Sequence, residues 1–101
     1  MNRIAIGISG KWFDLDKACR YEESCEFDGR NMISRATGSQ WDHELLFKTQ
    51  QGTWILNQYS AHQGTLESYE QINEEAAARW FTSQGLDAPK SLGSHVEGLE
   101  I

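Results

Sequence analysis

The sequence contains little of what marks several large classes of protein. Among its 101 residues there are two cysteines and one proline, and no run approaches the roughly 20 apolar residues that a membrane-spanning helix needs. The chain has nine lysines and arginines and fifteen aspartates and glutamates, which gives a formal net charge of −6. Such a deficit of basic residues disfavours nucleic acid and anionic membranes, because binding to both depends on pairing with phosphates. The sequence therefore predicts neither a nucleic-acid nor a membrane partner.

Chemical motifs are scarce as well. The chain has no C-x-x-C or H-x-x-x-H spacing, no glycine-rich phosphate loop and no G-x-S-x-G elbow. His43 stands between Asp42 and Glu44, but on a strand it points away from both acids, so the three side chains do not converge. We therefore expect no metal site, no cofactor and no catalytic residues, and a non-enzymatic function.

The two cysteines point to a reducing compartment. Cys19 and Cys25 are six residues apart, which on one extended strand separates their Cα atoms by roughly 20 Å, whereas a disulfide needs less than ~7 Å. We expect two reduced thiols that pack as small hydrophobic residues. Because the N-terminus also lacks a signal-peptide core, the predicted location is cytoplasmic.

What the sequence does contain is the alternation typical of β-strands. Residues 19–27 alternate with only Glu23 out of place, and Asp28-Gly29 is a preferred tight turn into a second strand at 31–37. A helix over residues 14–23 is the competing interpretation. Further strands are predicted near the N-terminus, at 41–49, at 53–60 and, more weakly, at 65–72.

One helix is predicted after these strands, over residues 73–85. Asn73 is a favourable N-cap, and Gly85 is suited to the residue that follows a helix end. The predicted fold class is α+β, an antiparallel β-meander of five or six strands packed by one C-terminal helix. Residues 1–86 are expected to form a single α+β domain, and residues 87–101 a flexible or partner-docked C-terminal tail.

A single helix covers only one face of such a sheet. Trp80 and Phe81 would pack on one set of apolar side chains of the 41–60 hairpin, while the other set meets water, the N-terminal strands or a second molecule. A second copy related by a two-fold axis is the commonest partner for such a patch. We therefore predict a homodimer, with another protein as the alternative partner.

The same hairpin and the loop after it supply a candidate ligand-binding set. Its members are aromatic or histidine side chains that would line a pocket between sheet and helix, or at the dimer seam. The set consists of Trp41, His43, Trp54, Tyr59 and His62.

Several short motifs resemble those of small uncharacterised bacterial proteins that travel with gene cassettes, plasmids and prophages. The motifs are ATGSQW at 36–41, ELLFKT at 44–49, GTWIL at 52–56, QG at 63–64 and EEAAxRWF at 74–81. They hold turn glycines, core tryptophans and a helix start. The resemblance implies a compact domain of mobile-element origin, and it implies no catalytic residue.

Three functions are consistent with these features. The first is a non-enzymatic protein-interaction module from a mobile element. The second is a small-molecule-binding protein or minor enzyme with an aromatic pocket. The third is an inhibitor of a host defence nuclease, whose acidic face would imitate DNA phosphates. A deep pocket with polar groups inside would favour the second function, and a flat apolar patch the first.

The acidic composition generates a first prediction. Random duplex DNA at physiological salt should show no detectable binding at micromolar protein, because the chain lacks a basic stripe that would release counterions. Fluorescence anisotropy of a labelled duplex measures this. Binding that weakens with added salt would contradict the argument from charge.

Overall fold

In the computed structural model, which describes residues 1–61 and 67–101, the chain forms an α+β fold with antiparallel strands and two α-helices. No helix in these two segments is long and apolar enough to cross a membrane. The strands are β1 (Arg3–Ala5), β2 (Trp12–Asp14), β3 (Cys19–Glu22), β4 (Cys25–Phe27), β5 (Met32–Ser34), β6 (Asp42–Lys48), β7 (Trp54–Ser60) and β8 (Ser68–Ile72), and the helices are α1 (Glu74–Ser83) and α2 (Gly93–Glu97).

The strands of the described segments form three separate sheets. A central sheet has the order β3–β6–β7–β8, while β1–β2, the N-terminal hairpin, and the β4–β5 hairpin are two-stranded. Every pairing is antiparallel. The α+β class and the antiparallel pairing are thus confirmed, whereas the expectation of a single meander of five or six strands with one helix is wrong.

The meander is interrupted at Glu23 and Ser24, between β3 and β4. Glu23 folds its carboxylate inwards, where the side chain is 7% exposed, and the backbone N–H of Ser24 donates to the Gln84 side chain (2.8 Å). These contacts direct the chain away from the central sheet. The strand expected over 19–27 is therefore two strands, and a helix over 14–23 is wrong, since a 3₁₀ turn there is followed by β3.

Helix α1 packs on one face of the central sheet, which we call the helix face. Asn73 caps it by accepting a hydrogen bond from the N–H of Ala76 (2.8 Å), and Gly85, at φ +72°, follows its end. Phe81 lies edge-on to Trp54, with ring centroids 6.0 Å apart. The buried core on this face consists of Leu46, Trp54, Ala77, Ala78, Trp80, Phe81 and Leu92.

The opposite face of the central sheet is covered only in part, by the N-terminal hairpin. Phe13 packs on Phe47 and Tyr69, with ring centroids 5.8 and 5.9 Å apart. The covered half contains the C-terminal end of β6, with Phe47, and the N-terminal end of β7, with Ile55. The other half, around His43 and Tyr59, lies outside this core cluster, and Tyr59 remains 37% exposed.

Residues 87–101, expected to form a flexible or partner-docked tail, fold back onto α1. Leu92 is fully buried in the helix-face core, and Val96 and Leu99 pack against the same cluster. His95 Nε2 lies 3.1 Å from a carboxylate oxygen of Glu74, at the start of α1. This packing crosses the domain boundary expected at residue 86.

Leu92 gives a direct test of this packing. Replacing Leu92 by Ala should lower the free energy of unfolding by about 2–5 kcal/mol, because it leaves a cavity in the core. Urea denaturation measures the change. Ile101→Ala is the matched control, since Ile101 is exposed, and we expect less than about 0.5 kcal/mol there. Equal stability of the two variants would mean that Leu92 is not part of the core.

Candidate functional site

Strands β6 and β7 bring three of the five predicted site residues to one end of the central sheet. His43 and Tyr59 are paired in register, and their rings lie 5.5 Å apart at an angle of 31°. Trp41 precedes β6, and its carbonyl accepts a hydrogen bond from the N–H of Ala61 (2.8 Å). These residues lie on, or next to, the part of the sheet that the N-terminal hairpin leaves open.

Of the other two predicted site residues, Trp54 does not join them. Trp54 is a core residue on the helix face, 2% exposed, and its ring contacts those of Tyr21 and Phe81. It is five positions before Tyr59 on the same strand, so alternation places the two side chains on opposite faces. His62 lies outside the described residues.

A buried carboxylate, not predicted from the sequence, lies behind His43. Glu23 Oε2 is 2.8 Å from His43 Nδ1. The other oxygen, Oε1, accepts hydrogen bonds from Ser34 Oγ (2.9 Å) and from the backbone N–H of Glu44 (2.6 Å). A carboxylate removed from water is costly unless such donors satisfy it, so these three contacts explain how Glu23 can be buried here.

The same contacts orient the imidazole of His43. Because Nδ1 faces a carboxylate, the proton of the neutral ring is on Nδ1, and Nε2 is then the acceptor. Nε2 has no hydrogen-bond partner among the described residues. Carboxylate–histidine pairs occur in metal sites and in acid–base catalysis. Residues 1–61 and 67–101, however, contain no group of three or more metal-ligating side chains.

An open cleft of about 460 Å³ lies beside this pair. Glu44 is one of the residues that line the cleft. Its Oε1 accepts a hydrogen bond from Trp80 Nε1 (3.0 Å), and its Oε2 accepts one from Gln58 Nε2 (2.9 Å). Asp42 is exposed, and its carboxylate makes no ion pair within the described segments. The described residues that line the cleft include no lysine or arginine. They are Thr37, Asp42, His43, Glu44, Gln58, Tyr59 and Ser68.

The pKa of Tyr59 shows which charged groups share this side of the molecule. Burial raises the pKa of its phenol, the negative charge of Glu23 raises it further, Arg20 opposes this, and Cys25 adds a smaller increase. Cys25 Sγ lies 3.5 Å from Glu23 Oε2. The base of the β4–β5 hairpin is therefore close to His43 and Tyr59.

The cysteines differ in part from the expectation. Cys19 and Cys25 are both free, as predicted, but both are exposed rather than packed in the core, and they lie on separate strands. Burial, together with the Glu23 carboxylate, raises the pKa of the Cys25 thiol. A thiol with a raised pKa remains protonated at neutral pH and is a poor nucleophile.

The β4–β5 hairpin exposes two large apolar side chains. Phe27 and Met32 are paired in register and are 63% and 54% exposed. Phe27 is two positions after Cys25, so alternation puts both side chains on the same face of the hairpin. This is the face on which Cys25 Sγ contacts the carboxylate of Glu23. We call the surface formed by Phe27, Met32, Trp41 and Tyr59 the apolar surface.

Comparison with known proteins adds no further information on this site. No family model, no curated protein and no solved structure matches the chain. The site is therefore argued from its own geometry, namely the oriented imidazole, the cleft and the apolar surface beside them.

Glu23 generates a prediction for stability. Glu23→Gln keeps the size of the side chain but removes the negative charge that accepts hydrogen bonds from Ser34 Oγ and the Glu44 N–H. Because hydrogen bonds to a charged acceptor are stronger than those to a neutral one, it should lower the free energy of unfolding by about 1–3 kcal/mol. Urea denaturation at neutral pH measures the loss. Glu70→Gln is the control, because Glu70 is exposed on β8, and it should change stability by less than about 0.5 kcal/mol. A similar effect of both variants would contradict the buried network.

Proposed function

We propose that this protein is a non-enzymatic protein-interaction module that assembles as a homodimer through the apolar surface. The observation that carries the proposal is the solvent-accessible area. The chain exposes 6947 Å², whereas a folded monomer of its mass is expected to expose about 5,800 Å². The excess of about 1,100 Å² exceeds the roughly 800 Å² that each partner buries in a standard interface.

The shape of the molecule supports the same proposal. Its dimensions are 41 × 40 × 20 Å and its radius of gyration is 14.3 Å, against about 13 Å for a compact domain of this length. A flat molecule with a partly covered sheet offers a broad surface to a partner. Large apolar and aromatic side chains are common in the centre of such interfaces, and Phe27, Met32, Trp41 and Tyr59 are all exposed here.

The acids near His43 support binding rather than catalysis. Both oxygens of Glu23 are engaged by the imidazole, the Ser34 hydroxyl and a backbone N–H. Both oxygens of Glu44 are engaged as well, by Trp80 and Gln58. Carboxylates held in this way fix the local structure, and neither is placed to exchange a proton with a ligand.

The biological setting of the proposal comes from the sequence. The resemblance of residues 36–85 to proteins of gene cassettes, plasmids and prophages supports a mobile-element origin, and the free cysteines support action in the cytoplasm. A second protein that binds the same apolar surface is the alternative partner. In either case the surface, rather than a reacting group, performs the function.

Light scattering at micromolar concentration tests the homodimer. We expect a molar mass near 23 kDa, twice the 11.5 kDa of one chain, because closed two-fold pairs are the commonest oligomers. A mass of one chain would contradict the homodimer and would favour a ligand in the cleft beside His43 instead.

Paired variants locate the interface. Replacing Phe27 and Met32 together by Ser should convert the dimer to a monomer without loss of folding, since both side chains are exposed in the single chain. Ile8→Ser is the control, because Ile8 is an exposed apolar residue in the turn of the N-terminal hairpin, and it should leave the dimer intact. Dissociation by both changes alike would argue against the apolar surface as the contact.

A further inference from the structure

We infer that a second cleft, between the N-terminal hairpin and the central sheet, binds a small amphipathic carboxylate. We call it the N-terminal cleft; it lies between β2, the β6–β7 turn at 49–53 and Gln71 of β8. It is formed within one chain and shares no residue with the apolar surface. The inference therefore goes beyond the proposed homodimer and does not depend on it. Three features of the cleft support it.

The first feature is the size and the apolar interior of the N-terminal cleft. Its volume is about 580 Å³, within the range of about 300–1,000 Å³ that is usual for small-molecule sites. Ile55 and Gln71 are paired in register and Thr53 is two positions before Ile55, so the three share the sheet face that the hairpin covers. Ile6 and Phe13 of the hairpin belong to the same buried cluster as Ile55. A ring bound here therefore meets apolar side chains from both the sheet and the hairpin.

The second feature is a pair of lysines that line the cleft without an acidic partner. The carbonyl of Lys11 accepts a hydrogen bond from the N–H of Ile6 (2.9 Å) and continues the β1–β2 register, so the Lys11 side chain starts on the same face of the hairpin as Ile6. Lys17 ends the 3₁₀ turn that follows β2. Neither ammonium forms an ion pair with any residue of segments 1–61 and 67–101.

Among the described residues that line the N-terminal cleft, Asp14 is the only acid. Its Oδ1 accepts hydrogen bonds from the backbone N–H groups of Asn2 and Asp16, each 3.1 Å long. The bond from Asn2 is the main cause that lowers the pKa of the Asp14 carboxyl, and the bond from Asp16 and the charge of Lys17 lower it further. Two lysines and one ionised aspartate give the lining one net positive charge, which matches a monoanion such as a carboxylate.

The third feature is a set of neutral hydrogen-bonding groups at the rim. Gln50, Gln51 and Gln71 are exposed and line the cleft, and none of their carboxamides is hydrogen-bonded to a described residue. A carboxamide NH₂ donates to a carboxylate without adding charge. The cleft thus combines an apolar interior with a few polar and cationic groups, the composition typical of small-molecule sites.

Naphthoate and its neutral amide, naphthamide, test the inference, because they share a ring system and differ in charge. Naphthoate should bind at one site per chain, and naphthamide should bind at least about fivefold more weakly, since it cannot pair with an ammonium. Isothermal titration calorimetry at low ionic strength measures both affinities. Absence of naphthoate binding, or equal affinity for the two compounds, would overturn the inference.

Two double variants of equal net charge separate the cleft from a general effect of charge. Lys11→Gln with Lys17→Gln should weaken naphthoate at least about fivefold and leave naphthamide within about twofold. Arg79→Gln with Lys90→Gln removes the same charge at exposed positions, in α1 and next to the Leu92 segment that packs on it. This control should leave both affinities within about twofold. Equal weakening of naphthoate by the two double variants would show that the lysines of the cleft do not hold the carboxylate.

A third variant locates the bound ring. Gln71→Trp puts a large side chain on the sheet face inside the cleft, so it should abolish the binding of naphthoate. Gln71 is exposed on β8, so we expect the variant to fold, and far-UV circular dichroism checks this. If the folded variant binds naphthoate as well as the wild type does, the ligand occupies another surface and the inference is wrong.

Discussion

The carboxylate of Glu23 is the group on which the arrangement of this molecule depends. It accepts hydrogen bonds from Ser34 in β5 and from the backbone of Glu44 in β6, and it binds the ring of His43. Among the strands of residues 1–61 and 67–101, the β4–β5 hairpin does not pair with the central sheet. Its position is therefore set by side-chain contacts, which include those of Glu23 and the hydrogen bond from the Ser24 N–H to the Gln84 side chain.

Glu44 links this network to the opposite side of the sheet. Its backbone N–H donates to Glu23, while its side chain accepts from the indole of Trp80 in α1. One residue of β6 thus connects the helix-face core to the carboxylate that orients His43. Glu44 therefore helps to hold β6 in a fixed position relative to α1.

The strands and the helix were predictable wherever a local pattern determines them. Alternation gave β6 and β7, and the cap at Asn73 gave α1. Glu23 is the one residue that breaks the alternation between 19 and 27, and in the structure it follows the end of β3. Its hydrogen-bond partners Ser34, His43 and Glu44 are distant in sequence, so the period-two pattern could not predict them. Leu92, Val96 and Leu99 are too few to mark a helical face, so their burial follows only from the tertiary structure.

The division of the strands into three small sheets explains why the chain leaves surface uncovered. A helix and one hairpin cover the helix face and half of the other face, and no further element of the described structure covers the rest. Burial of apolar area supplies affinity for a partner without fixing its orientation, because the hydrophobic effect is non-directional. Orientation must come from polar groups at the margin of the surface, because hydrogen bonds and ion pairs require a defined geometry. The apolar surface thus supplies the strength of the proposed assembly, and the polar groups around it select one register.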